Sequence, residues 1–231
     1  MTMNKNLIKM KTIFTLLLLA GSLTALAQDE QSPYEGTPLQ AYLEFCLYQR
    51  EAMTKKSTEQ LRECIEESTE SDFRFNDVAI RLYDFTDDIE AVETTKGVKV
   101  DTYYTPDYVD ELLMHDTDYR DAELEGPALM RDTEIANCMY AHQALAGGAS
   151  GTWRIHCEGK TCLVCVPSPN GLVSVEITSE SGVNQPFTLE DKATKDSPYT
   201  DCAWEMDEQG TVLVKVTNLS NKNVSFVLAT E

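Results

Sequence analysis

From Trp153 to Leu228 the chain alternates apolar and polar residues with a period of two. Val212, Val214 and Val216 alternate with Thr211, Leu213 and Lys215; Val224, Phe226 and Leu228 alternate with Ser225 and Val227. Two such runs joined by the polar, Asn-rich stretch from Asn218 to Asn223 predict a β-hairpin with one buried face. Upstream, Trp153, Ile155 and Cys157 share one face, with Arg154, His156 and Glu158 on the other. Gly159-Lys160 is expected to reverse the chain as a two-residue hairpin turn with Gly first. Cys162, Val164 and Val166 then return on the face of Cys157. Val173, Val175 and Ile177 continue inward; Phe187 and Leu189 follow Pro186, and Cys202, Trp204 and Met206 alternate next. Short strands spaced near ten residues apart predict an antiparallel β-sandwich or jelly roll over 131–231. Trp204, inward by parity, is its expected central plug.

The first half changes period. Thr37-Pro38-Leu39-Gln40 has the form of a helix start, with Thr37 as N-cap, Pro38 in the first turn and Gln40 closing a capping box. Leu39, Tyr42, Leu43, Cys46 and Met53 fall at helical spacing. Ser57-Thr58-Glu59-Gln60 repeats the capping logic before Leu61, Cys64 and Ile65. The spacing predicts an αα-hairpin turning near Lys55-Lys56. Val78, Ile80 and Leu82, then Val98 and Val100, predict two strands joined by an acidic connection from Asp84 to Glu93. Thr105-Pro106 opens a short helix carrying Tyr108, Val109, Leu112 and Leu113. The fold class is therefore α+β: an N-terminal αα-hairpin with short strands over 28–130, then the sandwich over 131–231.

Lys5, Lys9 and Lys11 precede the apolar run Ile13 to Ala20, and Ala25-Leu26-Ala27 precedes Gln28. A basic start, a short apolar core and an A-x-A site predict a signal peptide over 1–27, and hence an exported chain, periplasmic or extracellular. The apolar run is too short for a bilayer span of about 20 residues. Loss of those three lysines and no acid takes the net charge from −20 to −23. Such an acidic surface repels nucleic acid and anionic membranes.

An oxidising compartment changes the meaning of the seven cysteines, which survive cleavage. Cys46 and Cys64 each lie nine positions from Lys55. Antiparallel helices would set them at one height, where a disulfide needs Cα atoms about 4.4–6.8 Å apart. Two buried thiols packing as hydrophobes are the alternative. Cys157 and Cys162 would be opposed across the Gly159 hairpin, where non-hydrogen-bonded partners approach to about 4.5 Å. They would form a strained disulfide or remain reduced. An odd count leaves at least one thiol unpaired or shared with another chain, so a disulfide-linked homo-oligomer is one structural reading.

Candidate chemistry is sparse. Cys157-x4-Cys162-x2-Cys165 with Cys202 has the spacing of a plant-type iron–sulfur ligand set, but the cysteines interrupt alternating strands rather than a loop. His156 points away from Cys157 and Cys162, against a zinc site. Asp116, Asp118 and Asp121 could supply oxygen to Ca²⁺, yet the segment lacks the central Gly and register of an EF-hand loop. His115, His142 and His156 sit in no catalytic motif, and no nucleophile elbow, phosphate loop or metalloprotease helix occurs.

Leu172-Val173-Ser174-Val175-Glu176-Ile177, Trp204 in its strand, and Val212 to Asn218 followed by Ser225-Phe226-Val227-Leu228 together resemble the pre-peptidase C-terminal-like β-sandwich of many secreted bacterial proteins. The resemblance implies an accessory or binding unit and carries over no catalytic residue. The expectation is a non-catalytic binding protein of the envelope or extracellular space, with a protein or glycan partner. The alternative is a glycan- or peptide-active enzyme using paired carboxylates between the halves.

Overall fold

Thr37 opens the first helix as expected. Its backbone is extended, its side chain accepts from the Gln40 N–H, and Pro38 fills the first helical position of α1 (Pro38–Lys55). The Gln40 side chain reaches back to the Gly36 N–H. Lys56, at φ 54°, takes the left-handed cap that ends α1, and Ser57 accepts from the Gln60 N–H at the start of α2 (Thr58–Glu66). This is the αα-hairpin of the sequence. The computed structural model describes residues 35–66, 73–75, 78–95, 97–101, 103–114 and 136–231. The expected signal peptide over 1–27 and the Asp116, Asp118 and Asp121 loop lie outside the described residues.

The remaining elements are β1 (Phe73–Phe75), β2 (Val78–Asp84), β3 (Glu90–Glu93), α3 (Pro106–Leu113), β4 (Ala136–Leu145), β5 (Ser150–Cys157), β6 (Lys160–Pro167), β7 (Val173–Ser179), β8 (Thr188–Lys192), β9 (Thr200–Glu205), β10 (Gly210–Asn218) and β11 (Val224–Thr230). They form a six-stranded sheet, β1-β2-β4-β11-β6-β9, and a five-stranded sheet, β3-β5-β10-β7-β8. Within β4 to β11 the pairing is nested: β7 with β8, β6 with β9, β5 with β10, and β4 with β11. Pro33–Glu231 is one compact unit. The 130/131 division falls outside the described residues, and across it β2 pairs with β4 in parallel.

Between the sheets, Trp153, Val175, Val214, Phe226 and Trp204 lie in one core cluster. Trp204 is 7% exposed, inside the core as its parity predicts. The helices cover the other side of the six-stranded sheet. The Tyr42 ring lies 6.2 Å from Tyr140 of β4, and its hydroxyl donates to Tyr104 C=O. Tyr104 in turn donates to Pro167 C=O, and the Arg50 guanidinium donates to the Pro167 and Gly171 carbonyls. Leu39 N–H donates to the Glu231 carboxylate at 2.9 Å, so an acid sits where helix N-termini favour negative charge.

Several expectations are corrected. Residues 98–100 form no strand; the strand is β3, inside the supposed acidic connection. Thr211 to Leu228 is not a hairpin, because β10 pairs with β5 and β7 whereas β11 pairs with β4 and β6. The Gly159 turn also crosses between sheets. Glycine is required there, at φ 64°, but it turns a corner about 10 Å deep rather than a ribbon edge. Cys157 therefore lies opposite Gly210 in one sheet and Cys162 opposite Ala203 in the other. They are not partners.

Asn218 holds the β10–β11 crossover. Its amide donates to Leu145, Ala146 and Lys222 carbonyls at 3.2, 3.0 and 2.7 Å. Its carbonyl accepts from the Ser220 backbone and hydroxyl. Asn218→Ala is expected to lower stability by about 2 kcal/mol, since buried partners lose their donor. Urea unfolding at neutral pH measures it; a midpoint unchanged from the parent contradicts this role.

Candidate ligand-binding face

The helices cover one face of the six-stranded sheet, and the five-stranded sheet covers the other. The outward face of the five-stranded sheet is what remains. Its inward positions are fixed by the core: Val212, Val214 and Val216 of β10 and Val173, Val175 and Ile177 of β7 are all buried. Parity then turns Leu213, Lys215, Thr217, Ser174, Glu176 and Thr178 outward. Register sets them in rows. Lys192, Ser174, Thr217 and Ser150 align across β8, β7, β10 and β5, and Glu190, Glu176, Lys215 and Thr152 form the next row.

Lys192, Ser174 and Thr217 of the first row and Glu190, Glu176 and Lys215 of the second floor a groove of about 520 Å³, completed by Val175, Asp191 and Leu219. Its volume suits a small ligand or a short peptide stretch. Lys215 Nζ lies 3.6 Å from Glu176, with both side chains more than two-fifths exposed. No aromatic residue lines the groove.

Beyond the groove, Arg154 of β5 contacts two carboxylates on the same face. Its Nε and a terminal nitrogen bind both oxygens of Glu180 at 2.5 and 2.8 Å, and its other terminal nitrogen meets Glu90 at 2.5 Å. The two-pronged contact holds the Glu180 carboxyl below the usual carboxylate range and pushes Arg154 up. In solvent this cluster fixes geometry more than it stabilises.

The cysteines lie elsewhere, and none of the seven is in a disulfide. Cys46 and Cys64 do come to one level of the helical hairpin, as the Tyr48–Glu63 hydrogen bond between the helices shows. No disulfide joins them; Cys46 also neighbours Tyr42 and Cys138 of β4, inside the helix–sheet layer. Burial pushes the thiols of Cys46, Cys138 and Cys165 far up and that of Cys202 to about 12, and it raises Cys157 and Cys162. Protonated thiols are poor nucleophiles and poor metal ligands. Among the described residues, no group of three or more His, Cys, Asp or Glu is placed to hold a metal. No helix among them is long and apolar enough to cross a membrane.

Outward parity at Ser174, Glu176, Lys215 and Thr217 was readable from the alternation. Their alignment with Glu190 and Lys192 was not, because register and strand order leave no mark in a single strand's pattern.

No protein-family model matches the chain, and no curated protein matches its sequence. Among solved structures it is similar to the Yersinia pseudotuberculosis-derived mitogen, at 14% identity over 41% of this chain and 84% of that one, TM-score 0.32. It is similar to Aeromonas hydrophila PliG, a periplasmic inhibitor of g-type lysozyme, at 10% identity over 41% and 84%, TM-score 0.29. It is also similar to TmCBM61, solved with β-1,4-galactotriose, at 8% identity over 38% and 68%, TM-score 0.27.

Proposed function

We propose that the chain is an exported, non-catalytic binding protein that takes its ligand on the outward face of the five-stranded sheet. One observation carries this reading: of the four sheet faces, two form the core and one lies under helices, leaving a polar, grooved face open among the described residues. Rows of Ser, Thr, Lys and Glu offer hydrogen bonds in both directions, which suits recognition rather than bond cleavage. The nested pairing of β4 to β11 supports describing the sandwich as a jelly roll. The same strands support its placement beside pre-peptidase C-terminal-like domains.

The reactive groups point the same way. The Cys46, Cys138, Cys165 and Cys202 thiols are held protonated by burial, and His142 is buried and held neutral, its pKa lowered to about 4 by desolvation. Glu176 and Glu190 stand side by side, but in an open groove where no wall excludes water from a reacting bond.

The chain lacking residues 1–27 is to be screened on a glycan array and against a panel of purified extracellular proteins. A ligand whose binding falls at least about tenfold in Ser174→Trp, a charge-neutral change that fills the groove, with unchanged thermal unfolding, is the expected result. Turnover of a glycan or peptide that is lost in Glu176→Gln overturns it in favour of catalysis.

A further inference from the structure

Strand β8 is an outer edge of the five-stranded sheet. It pairs with β7, Glu190 opposite Glu176 and Thr188 opposite Thr178. Backbone bonds at either end of this pairing run from Ser179 N–H to Phe187 C=O and from Ala193 N–H to Val173 C=O. Bonded and non-bonded pairs alternate in antiparallel ladders, so positions 187, 189, 191 and 193 carry the bonds to β7. Thr188 and Glu190 consequently direct their N–H and C=O groups away from the sheet. At the third such position, the Lys192 N–H is already taken by Asp191 Oδ1 at 2.7 Å. An edge with free backbone groups is a template for another extended chain.

Charge narrows what that chain is. Like charges set directly opposite on one face are unfavourable, and Glu190 faces Glu176 in this way. Lys215 reaches Glu176, at 3.6 Å. Glu190 has no ion-pair partner among the described residues. A strand added beside β8 would bring alternate side chains up on the face of Thr188 and Glu190, at the mouth of the groove. A cation there would sit beside Glu190 and relieve the opposed carboxylates. The chain's net charge of −20 steers cations toward it. The aromatic-free groove gives a sugar ring nothing to stack on.

We propose that β8 accepts an extended cationic polypeptide segment as an added strand, with its Lys or Arg side chains over Glu190. This rests on the binding function proposed above and specifies its ligand class.

The probe is a labelled decapeptide of alternating lysine and threonine, titrated by anisotropy into the chain lacking residues 1–27. A glutamate-threonine decapeptide is the control. Glu190→Pro removes the outward N–H without touching a bond to β7, so the sheet is expected to tolerate it. Glu190→Lys keeps the backbone and reverses the charge; it decides the matter alone if the proline variant fails to fold. Glu59→Lys on α2 makes the same charge change far from the edge. The lysine peptide is expected to bind, the glutamate peptide not, with affinity lowered at least about tenfold in both Glu190 variants and little changed in Glu59→Lys. Equal losses at Glu190 and Glu59, full affinity in the Glu190 variants, or no binding overturns strand addition. If the array ligand still depends on Ser174 in that case, the binding function stands; if no ligand depends on this face, both fall.

Discussion

Trp153→Ala is expected to cost about 4 kcal/mol of folding stability, the largest loss from any single truncation in the sandwich. The indole is 1% exposed, in the cluster that joins both sheets. Its ring meets Phe226 edge-to-face, with centroids 5.7 Å apart at 76°. The two residues come from opposite sheets, so the contact links the two layers directly. Gly151 belongs to the same unit. A Cβ there would come within 2.5 Å of the indole Cη2, so Gly151→Ala forces the ring aside and is expected to cost about 1–3 kcal/mol. Once the indole is gone most of that clash goes too, and the double variant is expected to be clearly more stable than the sum of the single losses implies. Urea denaturation of the four proteins measures the coupling. A Trp153→Ala loss under 1 kcal/mol, or simple additivity, would remove Trp153 from the centre of the core.

The case of Trp153 shows what a period-two pattern does and does not encode. Alternation at Val212, Val214 and Val216, and again at Val224, Phe226 and Leu228, identified the inward residues of β10 and β11 correctly. It also suggested a hairpin, and there it failed. Burying one face is equally well achieved by two strands side by side in one sheet or facing each other across two. The side chains alternate identically in both cases. The difference lies in Asn218, whose amide ties the crossover to the β4–β5 turn, and a polar residue in an Asn-rich loop reads as an ordinary turn former. Gly159 misled in the same way: the need for a positive φ was legible, but the sheet that received the next strand was not. The helical capping signals at Thr37 and Ser57 depend on residues within one turn, so they were read directly. α1 buries Phe45, Gln49 and Ala52 beyond the narrow stripe, because it is packed by α2 on one side and a sheet below. β3 escaped notice because its four residues are exposed and two are glutamates. The open face is the sum of these non-local choices. Its residues were legible as outward; their gathering into one groove required the strand order.

Acid is expected to destabilise the fold through His142, by about 3 kcal/mol between pH 6.5 and 4. The imidazole is 3% exposed, and Nε2 has no hydrogen-bond partner. Around it stand the Tyr140 ring at 5.2 Å, the Asp84 carboxylate of β2, and Thr86, whose hydroxyl accepts from the His142 backbone N–H. Desolvation lowers its pKa from 6.5 to about 4, and Asp84 offsets only part of that. In the unfolded chain the ring takes its proton near pH 6.5; in the folded chain it waits until about pH 4. Between those values the unfolded state binds more protons, so stability falls as pH falls, and the loss is complete below the folded value. His142→Gln removes the titrating group while keeping a polar side chain of similar reach. Urea unfolding of parent and variant at pH 7, 6, 5 and 4 separates this contribution from that of the many carboxylates, which both proteins share. The parent is expected to lose about 3 kcal/mol more than the variant across that range. Parallel curves would mean that the imidazole already carries its proton in the fold at pH 6, with Asp84 as its counter-ion, and that burial does not keep it neutral.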